Sequence, residues 1–94
     1  MTFELRFHEQ ALVEWKRLDG SIQAIFKKKL AERLLHPRVP AAKLSNMHDC
    51  YKIKLRSSGY RLVYRVDDDV VFVTVIAVGK RDDLAAYLSA AARL

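Results

Sequence analysis

Three glycines, two prolines and one cysteine are all that this 94-residue chain holds of the residues that bend or cross-link a backbone. The lone cysteine, Cys50, excludes an internal disulfide and fits a reducing, cytoplasmic setting. No Gly-rich phosphate loop occurs, so no nucleotide or other small-molecule cofactor is expected. Histidine is also sparse. His8, His36 and His48 share no constellation, and together with Cys50 they lack zinc-ligand spacing, so no metal is expected. No segment approaches the roughly 18 unbroken apolar residues of a membrane span. The longest apolar run, Val70 to Gly79, is interrupted by Thr74 and is strand-like. Met1 to Glu4 lacks the charged and apolar regions of a secretory signal. Without repeats or low-complexity segments, one small domain over residues 1–94 is expected, with a single core.

The most informative absence is local. No Asp or Glu falls between Tyr51 and Val66, in a chain of net charge +6 and pI near 9.7. Such a balance favours polyanionic or acidic partners. From Tyr51 to Arg56 the pattern alternates, with Tyr51, Ile53 and Leu55 on one face and Lys52, Lys54 and Arg56 on the other. After Ser57-Ser58-Gly59, a second strand carries Tyr60, Leu62, Tyr64 and Val66 on one face and Arg61, Val63 and Arg65 on the opposite one. Only a four-residue loop, 56–59, keeps the two apolar faces together. That register pairs Leu55 with Tyr60, Lys54 with Arg61, Ile53 with Leu62 and Lys52 with Val63. Lys54 then stands across from Arg61, a placement that is normally destabilising. A fold tolerates such crowding where an anion ordinarily sits, and a phosphodiester backbone is the natural candidate.

The rest of the chain supplies the frame. Phe3, Leu5 and Phe7 alternate with Glu4 and Arg6 as a short first strand. His8-Glu9-Gln10 opens a helix with Ala11, Leu12, Trp15 and Leu18 as its apolar stripe, ended by Asp19-Gly20. Ser21 is the expected N-cap of a second helix. Its buried face comprises Ile22, Ile25, Phe26, Leu30 and Leu34, with Lys27, Lys28, Glu32 and Arg33 largely outward. His36-Pro37 stops it. Residues 37–48 read as an ordered loop. Asp67-Asp68-Asp69 forms a turn into Val70–Val78, expected to be a central strand covered on both faces. Asp82 and Asp83 suit the positive end of a last helix, Leu84 to Leu94. The expected class is α+β, in the order β-α-α-β-β-β-α: a mainly antiparallel sheet with two helices packed on one face and a small C-terminal helix.

Cys50-Tyr-Lys-Ile-Lys-Leu-Arg-Ser-Ser-Gly-Tyr-Arg-Leu-Val-Tyr64 and Val78-Gly-Lys-Arg81, supported by Ala11-Leu-Val-Glu-Trp15 and Lys27-Lys-Lys-Leu30, resemble the RelE-type toxins of bacterial type II toxin–antitoxin pairs. The resemblance spans essentially the whole chain. It implies a ribosome-dependent endoribonuclease that cleaves mRNA in the ribosomal A site without a metal. The family's functional positions fall on Lys52, Lys54, Arg61, Arg81 and Tyr87, and all five residue types are present. The resemblance places Arg81 near the leaving group and Tyr87 stacking on or orienting a base. It also implies a cognate RelB-type antitoxin that wraps the basic face or displaces the C-terminal helix, and an acidic binding segment suits the charge.

The chemistry fits that implication. Metal-independent RNA cleavage needs the 2′-OH deprotonated, the phosphorane stabilised and the 5′-oxygen protonated. Crowding among cations lowers a lysine's pKa, which makes Lys52 or Lys54 a usable base. Arg61 offers a planar fork to two phosphate oxygens. Lys27, Lys28, Lys29, Arg56 and Arg65 are candidate contacts to RNA or the ribosome. Plainer readings stand beside these. Alternating Lys and Arg also describes a solvated strand face, and the lysine run a solvated helix face. Arg81 beside Asp82 also describes a helix-end charge pair, and Tyr87 a member of a packing stripe. Trp15 reads as core and Cys50 as buried and inert. Two other functions use the same scaffold: a non-enzymatic, ParE-like inhibitor of DNA gyrase, and a plain basic nucleic-acid-binding module.

Overall fold

The computed structural model describes residues 2–80 and 85–94. Its elements run β1 (Glu4–Phe7), α1 (Glu9–Lys16), α2 (Gly20–Leu35), a short 3-10 turn at Pro40–Ala42, β2 (Cys50–Lys54), β3 (Tyr60–Asp67), β4 (Phe72–Lys80) and α3 (Ala85–Arg93). The strands form one sheet in the order β1-β4-β3-β2. β4 lies between β1, its parallel neighbour, and β3, its antiparallel one. The hairpin register is the one that alternation demands: Lys52 opposes Val63, Ile53 opposes Leu62 and Lys54 opposes Arg61.

Alternation along the strands divides the apolar residues between two cores. Tyr51, Ile53, Leu55, Leu62, Tyr64, Val66, Val73, Val75 and Val78 pack against Ala11 and Trp15 of α1 and Phe26 and Leu30 of α2. Cys50, Val63, Ile76 and Ala77 face the other way, onto Met47 and onto Ala86 and Ala90 of α3. A β-bulge makes this division possible. Val63 pairs with Ala77 and Tyr64 with Val75, so Ile76 is an extra residue in β4. The extra residue shifts the alternation, and Ile76 and Ala77 both serve the α3 side. β4 is thus covered on both faces, as its hydrophobicity predicts.

Several boundaries differ from the sequence reading. Val70 and Val71 belong to the turn, because pairing of Asp67 with Phe72 leaves residues 68–71 to reverse the chain. Val71 takes the left-handed conformation there, φ 60°, which a β-branched residue rarely adopts. Its carbonyl accepts the Glu4 N–H at 2.8 Å, tying the turn to β1. The N-cap of α2 is Asp19, not Ser21. Asp19 is extended, and its carbonyl accepts the first helical bond from Gln23 at 2.9 Å. Asp19-Gly20 therefore begins α2 and does not end α1. Leu12 and Ile25 are exposed flank residues, one position removed from the buried Ala11 and Phe26, and a step of about 100° carries each off the stripe. Trp15 is core, with Phe7 and Phe26 rings 5.4 and 6.1 Å away. Cys50 is fully buried, and burial pushes its thiol up to about 11, with Arg65 pulling only partly the other way. It is inert as a nucleophile at neutral pH.

The 37–48 loop is ordered because two side chains anchor it. Arg38 donates to Asp49 at 2.9 Å, to the Tyr51 hydroxyl at 3.3 Å and to Asp68, spanning the start of β2 and the β3–β4 turn. The buried Tyr64 hydroxyl donates to the Pro37 carbonyl at 2.6 Å and accepts from Arg33 at 2.8 Å. Tyr64→Phe keeps the packing and removes one bond from each partner, while Arg33 keeps the Lys52 carbonyl and the Pro37 carbonyl keeps the Val39 N–H. Urea unfolding of this variant is expected to show a loss of about 0.5–1.5 kcal/mol, the usual net worth of an intramolecular hydrogen bond. An unchanged midpoint would show that the Arg33–Tyr64–Pro37 link carries no stability.

Candidate active site

The cationic side chains project from the sheet face opposite α1 and α2, at the end of the β2–β3 hairpin that α3 leaves open. Lys52 and Lys54 come from β2, the edge strand, and Arg61 from β3. Leu55 N–H bonds to the Tyr60 carbonyl at 2.9 Å, so those two residues form a hydrogen-bonded pair. Alternation then makes Lys54 and Arg61 a non-hydrogen-bonded pair, the closer kind, with Cα atoms about 4.5 Å apart. Among the described residues none of Lys52, Lys54, Arg56 or Arg61 is ion-paired with a carboxylate.

The crowding has a chemical result. The charges of Lys52 and Arg61, then slight desolvation, then the charge of Arg56, hold the exposed Lys54 ammonium below its ordinary pKa of 10.5. Each neighbouring cation favours the neutral amine. Tyr87 approaches from α3. Burial raises its phenol, and the facing Arg61 guanidinium opposes the rise through its charge and a hydrogen bond. Arg61 thus stands between Lys54 across the strand and Tyr87 across the gap to α3.

The backbone beneath this cluster is held by a residue that periodicity assigns outward. Arg33 of α2 donates to the Lys52 carbonyl at 3.2 Å, on the outer edge of β2, besides its bond to Tyr64. It lines a shallow pocket with Val39, Ala41, Ala42, Lys52, Lys54 and Arg56. Arg33 lies seven residues after Phe26 and three after Leu30, the spacing that puts it beside the buried stripe.

The other candidates separate. Arg56 flanks Lys54 in that pocket and in a second one, shared with Ile25, Lys29, Leu55 and Ser57. Lys29 therefore joins the basic surface, whereas Lys27 and Lys28 stand exposed on α2 and line neither pocket. Arg65 shares the cationic face but sits opposite Cys50, two pairs beyond Lys52's partner, and leans to Asp67 at 3.8 Å. Its charge is partly answered. Arg81, and with it Asp82 and Asp83, lies outside the described residues.

The structure is a small α+β domain in which, among the described residues, Lys52, Lys54 and Arg61 pair with no carboxylate and a tyrosine stands at their margin. Comparison with known proteins gives that class a family. The family model of the ParE toxin of type II toxin–antitoxin systems, parDE, matches residues 5–85. The mRNA interferase toxin RelE of Escherichia coli strain K12 is 53% identical over 94 residues, covering 100% of this chain and 99% of the relative. A mutant of the E. coli toxin RelE in the free state superposes with a TM-score of 0.92 at 52% identity, over 100% of this chain and 99% of that one. The intact E. coli RelBE toxin–antitoxin complex matches with a TM-score of 0.82 at 58% identity, over 83% of this chain and 95% of that one. The chain belongs to the RelE/ParE family of type II toxins.

A titration of lysine ε-carbon resonances tests the electrostatics. Lys54 is expected to lose its proton below pH 10.5, and Lys52→Met to return it toward that value more than Arg56→Met does. A Lys54 transition at the ordinary value, insensitive to Lys52, would contradict the crowding.

Proposed function

We propose that the protein is the toxin of a type II module and an endoribonuclease that cuts mRNA in the ribosomal A site. The observation that carries the reading is the Lys54–Arg61 pair, with Lys52 alongside and Tyr87 at its margin, in a chain alike over its full length to an mRNA interferase. The depressed pKa of Lys54 favours it over Lys52 as general base. Its neutral amine takes the proton of the 2′-OH, and the 2′-oxygen attacks the adjacent phosphorus. The P–O5′ bond breaks as the 5′-oxygen gains a proton, leaving a 2′,3′-cyclic phosphate and a 5′-hydroxyl. Arg61 stabilises the phosphorane with a fork that fits two of its oxygens. Lys52 adds charge to the phosphate and to the depression of Lys54, while Tyr87 orients a base. The leaving-group role of Arg81 rests on the family resemblance.

Lysine and arginine are poor proton-transfer groups, so positioning must supply much of the rate. An enzyme of this kind requires its mRNA held and bent by the ribosome. Lys29 and Arg56 extend the basic surface toward that partner. The second partner is a RelB-type antitoxin. The RelBE complex is the precedent, and a cationic face of this charge calls for an acidic covering segment. The gyrase reading draws on the ParE description of the family model. Full-length identity to an mRNA interferase and the intact lysine–arginine–tyrosine set favour RNA.

Cleavage of a short mRNA on programmed ribosomes with an empty A site, beside the same RNA alone, tests the proposal. Wild type is expected to cut only on ribosomes and leave a 2′,3′-cyclic end. Arg61→Ala is expected to retain ribosome binding and lose on the order of 10²–10³ in rate, as for a deleted oxyanion donor. Arg81→Ala is expected to lose cleavage as well. Equal cutting of naked RNA would remove the ribosome from the account. No cutting by folded wild type, together with inhibited supercoiling, would support the gyrase reading instead.

A further inference from the structure

β1 stops at Phe7, whose partner is Val75. Beyond that point, among the described residues, no strand pairs with this edge of β4, and residues 76 and 78 present their backbone polar groups along it. Two side chains complete this edge in place of a strand. Arg93 of α3 donates to the Ile76 carbonyl at 2.8 Å, and Glu14 of α1 accepts the Val78 N–H at 3.0 Å. The same two side chains then pair with each other through both carboxylate oxygens, at 2.8 and 2.9 Å. Arg93 Nε donates to Gln10 Oε1 at 2.9 Å as well. The pair is mostly shielded, at 12% and 27% side-chain exposure, unlike a solvated surface bridge.

α3 needs such an anchor. It has nine residues, too few for a stable helix on its own. The side chains it buries include Ala86 and Ala90, which offer little apolar area. Yet α3 carries Tyr87, about 9 Å along the helix axis from Arg93 at 1.5 Å per residue. Glu14 therefore holds both the strand before residues 81–84 and, through Arg93, the helix after them.

We propose that Glu14 and Arg93 are positioning residues for RNA cleavage: their clamp on the bulged edge of β4 seats α3 and fixes Tyr87 against Arg61. The proposal rests on the nuclease reading for its catalytic consequence and on geometry alone for the seating of α3.

The test uses full-length wild type, Arg93→Ala, Tyr87→Ala and the double variant, with single-turnover cleavage on programmed ribosomes and hydrogen exchange on the free protein. Arg93→Ala is expected to lose amide protection over residues 86–93 while the β2–β3 amides keep theirs. Its rate at saturating ribosomes is expected to fall on the order of 10- to 100-fold, the scale of a misplaced group. Its half-saturating ribosome concentration should not change. Adding Arg93→Ala to Tyr87→Ala should cost no further rate, since the clamp acts through Tyr87. General destabilisation would lower both rates multiplicatively, and that result would overturn the proposal. Unchanged protection of α3 in Arg93→Ala would also overturn it, whether or not wild type proves to be a nuclease. Should Arg93→Ala not fold, Glu14→Gln and Arg93→Lys carry the same comparison: each keeps part of the clamp, and each is expected to show the same split at smaller size. Failure of wild type to cut would count against the nuclease reading, and the exchange arm would still decide the clamp.

Discussion

The register of the β2–β3 hairpin is the constraint from which the site follows. On the core face, Ile53 meets Leu62 and Tyr51 stacks on Tyr64 with ring centroids 5.7 Å apart. A slip by one residue would turn one strand's whole apolar set to solvent. The core therefore dictates which residues meet on the other face, and there it forces Lys54 against Arg61. Repulsion between them is a local cost accepted for the sake of a larger burial. Its chemical by-product is an amine that surrenders its proton more readily than an isolated lysine.

The second determinant is how the other face is shared. α1 and α2 cover one side of the sheet, and α3 covers only part of the opposite side, over Cys50, Val63, Ile76 and Ala77. The bulge at Ile76 gives α3 its seat and also creates the broken edge that Glu14 and Arg93 close. Where α3 stops, Lys54 is exposed and Lys52 and Arg61 are partly so. Tyr87 sits at that boundary, half-buried, with one side toward Arg61 and the other toward a groove formed with Leu44, Met47 and Leu88. The helix is thus both a cover for the small core and the carrier of Tyr87, a proposed site residue.

Much of this was legible in the sequence because the strand alternation was strict. Alternation between Tyr51 and Val66 specified the strands, their faces, the loop length and the Lys54–Arg61 pairing. His36-Pro37 marked the end of α2, and continuous hydrophobicity marked β4 as the covered strand. What escaped was set by contacts distant in the chain. Arg33 looks like a solvated helix residue until Tyr64 and the Lys52 carbonyl arrive beside it. Glu14 and Arg93 are 79 positions apart, and no local pattern links them. Val70 and Val71 have strand chemistry but lie in a turn, since the Asp67–Phe72 pairing leaves them nowhere else. The bulge is likewise invisible locally, since Val75-Ile76-Ala77 reads as uninterrupted strand.

The central claim is that cationic crowding turns Lys54 into a base. The pH dependence of single-turnover cleavage on ribosomes, compared between wild type and Lys54→Arg, tests it most directly. The account predicts a wild-type rate that rises with pH and levels off below the ordinary lysine value of 10.5. It also predicts a slower Lys54→Arg variant whose rate lacks that rise, because the charge is kept and the titratable amine is lost. A Lys54→Arg variant with the wild-type rate and pH profile would contradict the claim.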